Sequence, residues 1–224
     1  MTDFLAIFDV DGTLIDSQAI IHASMTHAFE TVEMPPPARE TVLRMVGLSL
    51  PRIVEALAPG APEAVQDRIL SAYRLRFAEA MSVDTPPPTY PGVEAGIARL
   101  QAAGIALGLA TGKSRRGVKR LIGHMAWEAV FATVQCADHH PSKPHPSMIR
   151  RALAETATDE GQAAMVGDTT FDVEMAVAAG IPALGVSWGY HEADLLHRAG
   201  ATEVIDTFPA LVDRIIALAE ERAG

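Results

Sequence analysis

The stretch FDVDGTLIDS, residues 8–17, places two carboxylates, Asp9 and Asp11, one residue apart. They follow the apolar run 4–8 and precede Gly12. Acids at the end of a buried strand lose hydration and repel each other, so something must neutralise them. Polar groups follow other apolar runs in the same way. Run 105–110 leads into Thr111-Gly112-Lys113-Ser114, and run 129–136 is followed by Pro141-Ser142-Lys143-Pro144. Run 163–166 leads into Gly167-Asp168-Thr169-Thr170-Phe171-Asp172. Brought together, Asp9, Asp11, Asp168 and Asp172 call for a cation. An all-oxygen ligand set with positions left to water suits Mg²⁺. Lys143 supplies a fixed positive charge for phosphoryl oxygens. Thr111, just before a helix, offers a hydroxyl beside backbone N–H groups at a favourable dipole end. Such a set suits phosphoryl transfer, which needs mainly positioning and charge neutralisation. One aspartate can act as nucleophile and take the phosphoryl group. The other, re-aimed by the turn at Gly12, can protonate the leaving oxygen and later activate water.

These groups converge only if the runs that carry them are neighbours. Short runs rich in Val, Ile and Leu (4–8, 105–110, 129–136, 163–166, 183–186 and 203–205) alternate with helical patterns at 92–103, 115–125, 147–156 and 172–179. That alternation predicts an α/β fold, a doubly wound parallel sheet with helices on both faces. Ligands of such sheets bind beyond the carboxyl ends of the strands, where the strand order reverses. Gly104, Gly180 and Gly200 each follow a helical pattern and suit helix C-termini. From 17 to 84 the periodicity is only helical. Gly12 bounds this region on one side and Thr85-Pro86-Pro87-Pro88-Thr89-Tyr90-Pro91-Gly92 on the other. Pro35-Pro36-Pro37 separates two of its helices. We therefore expect a core of residues 1–16 and 85–224. Into it is inserted an all-helical unit, 17–84, of roughly seventy residues, enough for a small bundle. Rooted beside the acid pair, it would hang over the site as a lid.

Composition narrows the function classes. Hydrophobic residues make up 49% and charged residues 21%, enough to bury a core, so the chain is not disordered. The net charge of −10 offers no electrostatic footprint for nucleic acid. The single cysteine, Cys136, permits no internal disulfide and fits a reducing compartment; in VFATVQCAD it reads as a buried, inert thiol. No signal peptide and no apolar run of membrane-spanning length is visible, so a cytoplasmic protein without membrane partners is expected.

Together, FDVDGTLIDS, LATGKS, PSKPHP and VGDTTFD resemble, in order, the four motifs of the haloacid dehalogenase superfamily. GVSWGY, residues 185–190, resembles the loop after the fifth core strand in such proteins. The resemblance covers essentially the whole chain and is to phosphoglycolate phosphatase-like members with a helical cap. It implies Asp9 as nucleophile and Asp11 as general acid/base. It implies Mg²⁺ on the Asp9 side chain, the Asp11 backbone carbonyl and the Asp168 side chain, with Asp172 in support. Thr111, Gly112 and Lys143 would hold the phosphoryl group of a small phosphorylated metabolite such as 2-phosphoglycolate. The same core motifs serve sugar-phosphate mutases of the β-phosphoglucomutase type, which return the phosphoryl group to a sugar hydroxyl. Dehalogenase members lack the second aspartate, so Asp11 argues against them. A non-catalytic binding module would not need all six residues.

Each signal has a plainer reading. Asp11-Gly12 can be a simple turn, Asp172 a helix-start acid, Thr111 an N-cap and Lys143 a solvated loop residue. Joint order and spacing decide for the site. ATGKS is not a nucleotide-binding P-loop, because the glycine required at 107 is leucine and the nearby Gly108 is one place off. His139, His140 and His145 lack a second group with metal-ligand spacing. In the insertion, His22, Arg44, Gly47 and Arg52 can face the site, and Arg44 suits a bidentate contact to a substrate carboxylate. The surface of a helical insertion can pair with a copy of itself, but nothing in the sequence fixes the oligomeric state.

Overall fold

The computed structural model describes residues 4–81 and 88–223. Six parallel strands form one sheet: β1 (Leu5–Phe8), β2 (Ala106–Thr111), β3 (Thr133–Cys136), β4 (Ala163–Gly167), β5 (Ala183–Val186) and β6 (Glu203–Ile205). Their order is β3-β2-β1-β4-β5-β6. The chain winds outward from β1 to β3, crosses back to β4, and winds the other way to β6. The order therefore reverses at β1 and β4, which pair in register from Leu5↔Ala163 to Phe8↔Val166.

All four residues of β1 are buried, as expected of a strand covered on both faces. Alternate residues go to opposite layers. Phe4, Ala6 and Phe8 join the core under α5 (Val93–Ala102), α6 (Arg115–His124) and α10 (Phe208–Ala223). Leu5 and Ile7 join the core under α7 (Ser147–Thr156), α8 (Thr170–Ala179) and α9 (Ala193–Ala199).

The insertion forms helices α1 (Gln18–Glu30), α2 (Arg39–Leu43), α3 (Leu50–Leu57) and α4 (Glu63–Ala80). On α1, Ile21, Ser24, Met25, Ala28 and Phe29 recur at helical spacing and are buried. Ile21, Met25, Ala28 and Phe29 meet Val42, Val54 and Ile69 in an apolar core separate from the two that flank the sheet. The proline run 35–37 lies between α1 and α2. Where the insertion leaves the sheet, its two connections run antiparallel. Asp16 N–H donates to the Pro88 carbonyl (2.9 Å) and Tyr90 N–H to the Leu14 carbonyl (3.1 Å). The expected boundary between residues 84 and 85 lies outside the described residues, as do Pro86 and Pro87.

Two element boundaries differ from the sequence reading. Of the apolar run 129–136, only Thr133–Cys136 is strand. The earlier residues form a turn, apolar because Trp127 and Phe131 pack edge to face at 5.7 Å against the sheet core. Helix α8 starts at Thr170, two residues before Asp172. Asp172 closes a capping box there: the Thr169 N–H (3.1 Å) and hydroxyl (2.7 Å) both donate to its Oδ2. Gly104, Gly180 and Gly200 take left-handed φ at or just past helix ends, as expected. No helix among the described residues is long and apolar enough to cross a membrane.

Candidate active site

The ladder carries Asp9 into the crevice: its N–H still donates to the Val166 carbonyl (2.9 Å), and the residue is 1% exposed. The chain then turns. Leu14 and Ile15 N–H groups return to the Val10 carbonyl, and Gly12 takes φ +85°. Only glycine fits here, since a Cβ would stand 2.1 Å from Asp168 Oδ2. Asp11 is thereby aimed away from Asp9. Its carboxylate accepts a short hydrogen bond from the Ser17 hydroxyl and pairs with Lys113 Nζ at 2.8 Å. Lys113 in turn sits 4.8 Å from the centroid of the Phe77 ring on α4. The sequence reading missed Lys113 and Ser17, although both lie within the motifs it quoted.

Lys143 is no solvated loop residue. It is buried, with Nζ 2.6 Å from Asp172 Oδ1 and 2.9 Å from Asp9 Oδ1. Burial favours the neutral amine, but Asp172 and Asp9 outweigh it and hold the ammonium above its ordinary range. The contact with Asp9 is an ion pair at angles outside hydrogen-bond geometry, so both Asp9 carboxylate oxygens are buried without a hydrogen bond. Burial pushes the Asp9 carboxyl up to about 7; Asp172 and Asp11 add to this and Lys143 opposes it. Asp168 is raised too, first by burial and then by Asp172 and Asp9. It is steered by the Thr13 hydroxyl at Oδ1 and the Tyr190 N–H at Oδ2, both 2.8 Å.

One carboxylate oxygen each from Asp9, Asp168 and Asp172 lie within 4.8 Å of one another, all buried. Three buried carboxylates gathered this closely, with both Asp9 oxygens lacking a hydrogen bond, fit a hard divalent cation. The Asp11 side chain is not in this cluster, which leaves its main-chain oxygen for the ligand role expected of it. Thr111 ends β2, is 1% exposed and accepts the Lys113 N–H at Oγ1 (3.2 Å). It is not the helix cap, for Ser114 caps α6 by accepting the Gly117 N–H. His140 bonds Ser147 and Gln135, and no histidine joins a candidate metal cluster among the described residues.

A cavity of about 410 Å³ opens over Asp9, Asp11 and Thr111 and is closed from above by α1, α3, α4 and the segment 46–50. This segment docks on the core. A Cβ on Gly112 would meet the Leu48 carbonyl at 2.5 Å, and the Ser49 N–H donates to Ser142 Oγ at 2.8 Å. Gly47 lines the cavity, as expected, but His22 and Arg52 do not. Arg44 does not line it either. Its side chain is exposed, and only its carbonyl is engaged, by His191 Nε2 at 3.1 Å. Arg44 is the C-cap of α2; Val42 before it and Val46 after it are buried in the insertion's core, and the arginine between them points to solvent. The arginines on the wall are instead Arg74, Arg116 and Arg120.

Comparison with known proteins agrees with this architecture. The "Probable phosphatase IndB" of Dickeya dadantii is 35% identical over 219 residues, covering 96% of this chain and 94% of that one. The "Phosphoglycolate phosphatase" of Psychrobacter arcticus is 30% identical over 220 residues, covering 95% of each. A solved structure of a "predicted phosphatase" from Clostridium acetobutylicum superposes with a TM-score of 0.85 at 25% identity, covering 96% of this chain and 98% of that one. Residues 6–186, which carry FDVDGTLIDS, LATGKS, PSKPHP and VGDTTFD, match the haloacid dehalogenase-like hydrolase family, and the chain belongs to that family.

Proposed function

We propose that the chain is a Mg²⁺-dependent phosphatase of small phosphate monoesters that works through an aspartyl-phosphate on Asp9. The observation that carries this reading is the pair of Asp9 oxygens, buried at a strand end without a hydrogen bond and 2.9 Å from the Lys143 ammonium. A carboxylate so placed is a desolvated nucleophile beside a fixed cation. Asp9, Asp168 and Asp172, with the Asp11 main-chain oxygen, would hold Mg²⁺. When bound, the ion neutralises phosphoryl charge and lets Asp9 ionise at neutral pH.

The chain's own groups do the rest. Lys143 favours the charged form of Asp9 against its burial and, with Thr111 and the Gly112 loop, receives the phosphoryl oxygens. Asp9 attacks phosphorus while Asp11, oriented by Ser17 and Lys113, protonates the leaving alcohol. Asp11 then takes a proton from water as that water hydrolyses the acyl phosphate. Residues 17–84 act as a cap over a core of 1–16 and 85–224, and the docked segment 46–50 keeps bulk water from the site. A mutase would have to orient a polyhydroxylated sugar, and the apolar cavity wall favours the hydrolase instead.

The test is phosphate release from a panel of monoesters with Mg²⁺ and with EDTA, beside Asp9→Asn. The panel begins with 2-phosphoglycolate, the compound in the relatives' name, and includes a hexose 1-phosphate. Mg²⁺-dependent release lost in the variant is expected. No release from any compound, or an isomerised sugar phosphate in place of free phosphate, overturns the reading.

A further inference from the structure

The cavity is too large and too apolar for glycolate. Its volume of about 410 Å³ falls in the ~300–1,000 Å³ range of sites that enclose drug-sized ligands, and a two-carbon acid fills a small part of it. The wall supplied by the helical insertion carries Ile21, Met25, Val46, Leu50, Ile53 and Phe77. Tyr73 and Phe77 on α4 stack with centroids 5.7 Å apart and planes 20° from parallel, a continuous aromatic surface. Among the described residues, no buried cation of the wall is left over for a carboxylate. Lys113 pairs with Asp11, Arg120 turns to the Ala78 carbonyl at 3.1 Å, and Arg74 and Arg116 are exposed. Such a wall rewards apolar surface.

We propose that the substrate is a phosphate monoester whose alcohol carries a ring-sized apolar body seated along the Tyr73–Phe77 surface. Esters of small polar alcohols, 2-phosphoglycolate included, are then poorer substrates. The inference rests on the phosphatase reading for its turnover assay only. The cavity wall can be tested without catalysis.

The experiment compares kcat/KM for ethyl phosphate, 2-phosphoglycolate, hexyl phosphate and 2-phenylethyl phosphate. All four are esters of primary alcohols; ethyl, hexyl and 2-phenylethyl phosphate differ in the apolar body, and 2-phosphoglycolate adds a carboxylate to a two-carbon one. An advantage of roughly tenfold or more for 2-phenylethyl over ethyl phosphate is expected, the worth of burying a ring against an apolar wall. In Leu50→Trp, which fills the cavity, that ratio should fall toward one. Calorimetric binding of the same two esters to Asp9→Asn provides the readout free of turnover and should show the same ranking. Equal affinities, or 2-phosphoglycolate as the best ligand, would overturn the inference while leaving the phosphatase intact. If no ester is hydrolysed, the phosphatase reading fails and the binding ranking alone decides on the cavity.

Discussion

The sheet core and the helical insertion face each other across one cavity, and they are built on opposite principles. On the core side, Asp9, Asp168, Asp172 and Lys143 are charged side chains withdrawn from water, each at most 2% exposed and held by named partners. On the insertion side the wall is mainly aliphatic and aromatic, and its one arginine among the described lining residues, Arg74, reaches solvent. Charges withdrawn from water must be placed to a fraction of an ångström to repay desolvation. Apolar contacts tolerate exchange so long as volume is kept. On the function proposed, chemistry would fall to the side where parallel strands hold the chain rigidly, and selectivity to the side where side chains can vary at little cost.

The contrast breaks most directly at Lys143. Lys143→Met leaves Asp9 and Asp172 facing each other unpaired. Turnover should fall by about a thousandfold or more, and stability by about 3–5 kcal/mol, the range for removing one member of a buried ion pair. Phosphate release and urea unfolding measure the two effects, and a variant as stable and active as the parent would deny the core its buried charge network.

Next comes Gly112→Ala, which sets a methyl against the Leu48 carbonyl and forces segment 46–50 off the core. A displacement of this kind costs up to about a hundredfold in kcat, while the unfolding midpoint should move little, since the sheet is untouched. A large loss of stability would show that docking of the insertion holds the fold as well as the site.

The pH dependence sharpens the comparison further. The folded carboxyl of Asp9 is raised by burial to about 7, against 3.8 for its ordinary value. A raised acid binds its proton more tightly when folded. The Asp9 contribution to the stability of the metal-free protein is therefore complete below about pH 4 and lost as pH rises to about 7. A divalent cation competes with that proton. Apparent Mg²⁺ affinity by calorimetry should rise by up to about tenfold per pH unit below 7 and level off above it. A flat profile from pH 5 to 8 would remove Asp9 from the ligand set.

The smallest effect is expected on the insertion side. Phe77→Ala removes the ring beneath Lys113 without touching the Lys113–Asp11 pair. KM should rise severalfold with kcat within about threefold, since a cation–π contact is worth about 1 kcal/mol. A collapse of kcat would give Phe77 a part in placing Asp11 and blur the division between the two sides.

Much of the site could be read along the chain because its residues lie at strand ends. A run of apolar residues that stops at an acid, a threonine or a glycine, as 4–8, 105–110 and 163–166 do, is visible in one dimension, and the six runs together fit the doubly wound sheet. Missing were the residues that act across the turns. Thr13 and the Tyr190 N–H steer Asp168 from positions 155 and 22 residues away along the chain. Ser17 and Lys113 hold Asp11. All four lie inside the quoted motifs, but each matters only through a partner that the sequence does not name. Arg44 failed for the complementary reason: its side-chain chemistry suited a carboxylate, but at the end of α2, between the buried Val42 and Val46, it faces solvent.

The sequence by itself determined the α/β class, the place of the helical insertion, and the acids, threonine and lysine at the sheet's carboxyl edge. These follow from periodicity and from the cost of burying charge, both local properties of the chain. Only the tertiary structure decided that Lys143 stands between Asp9 and Asp172, that segment 46–50 closes on Gly112, and that the cavity wall is apolar. Those outcomes depend on distances between segments far apart in the chain, which are set by how the helices pack on the sheet and on one another.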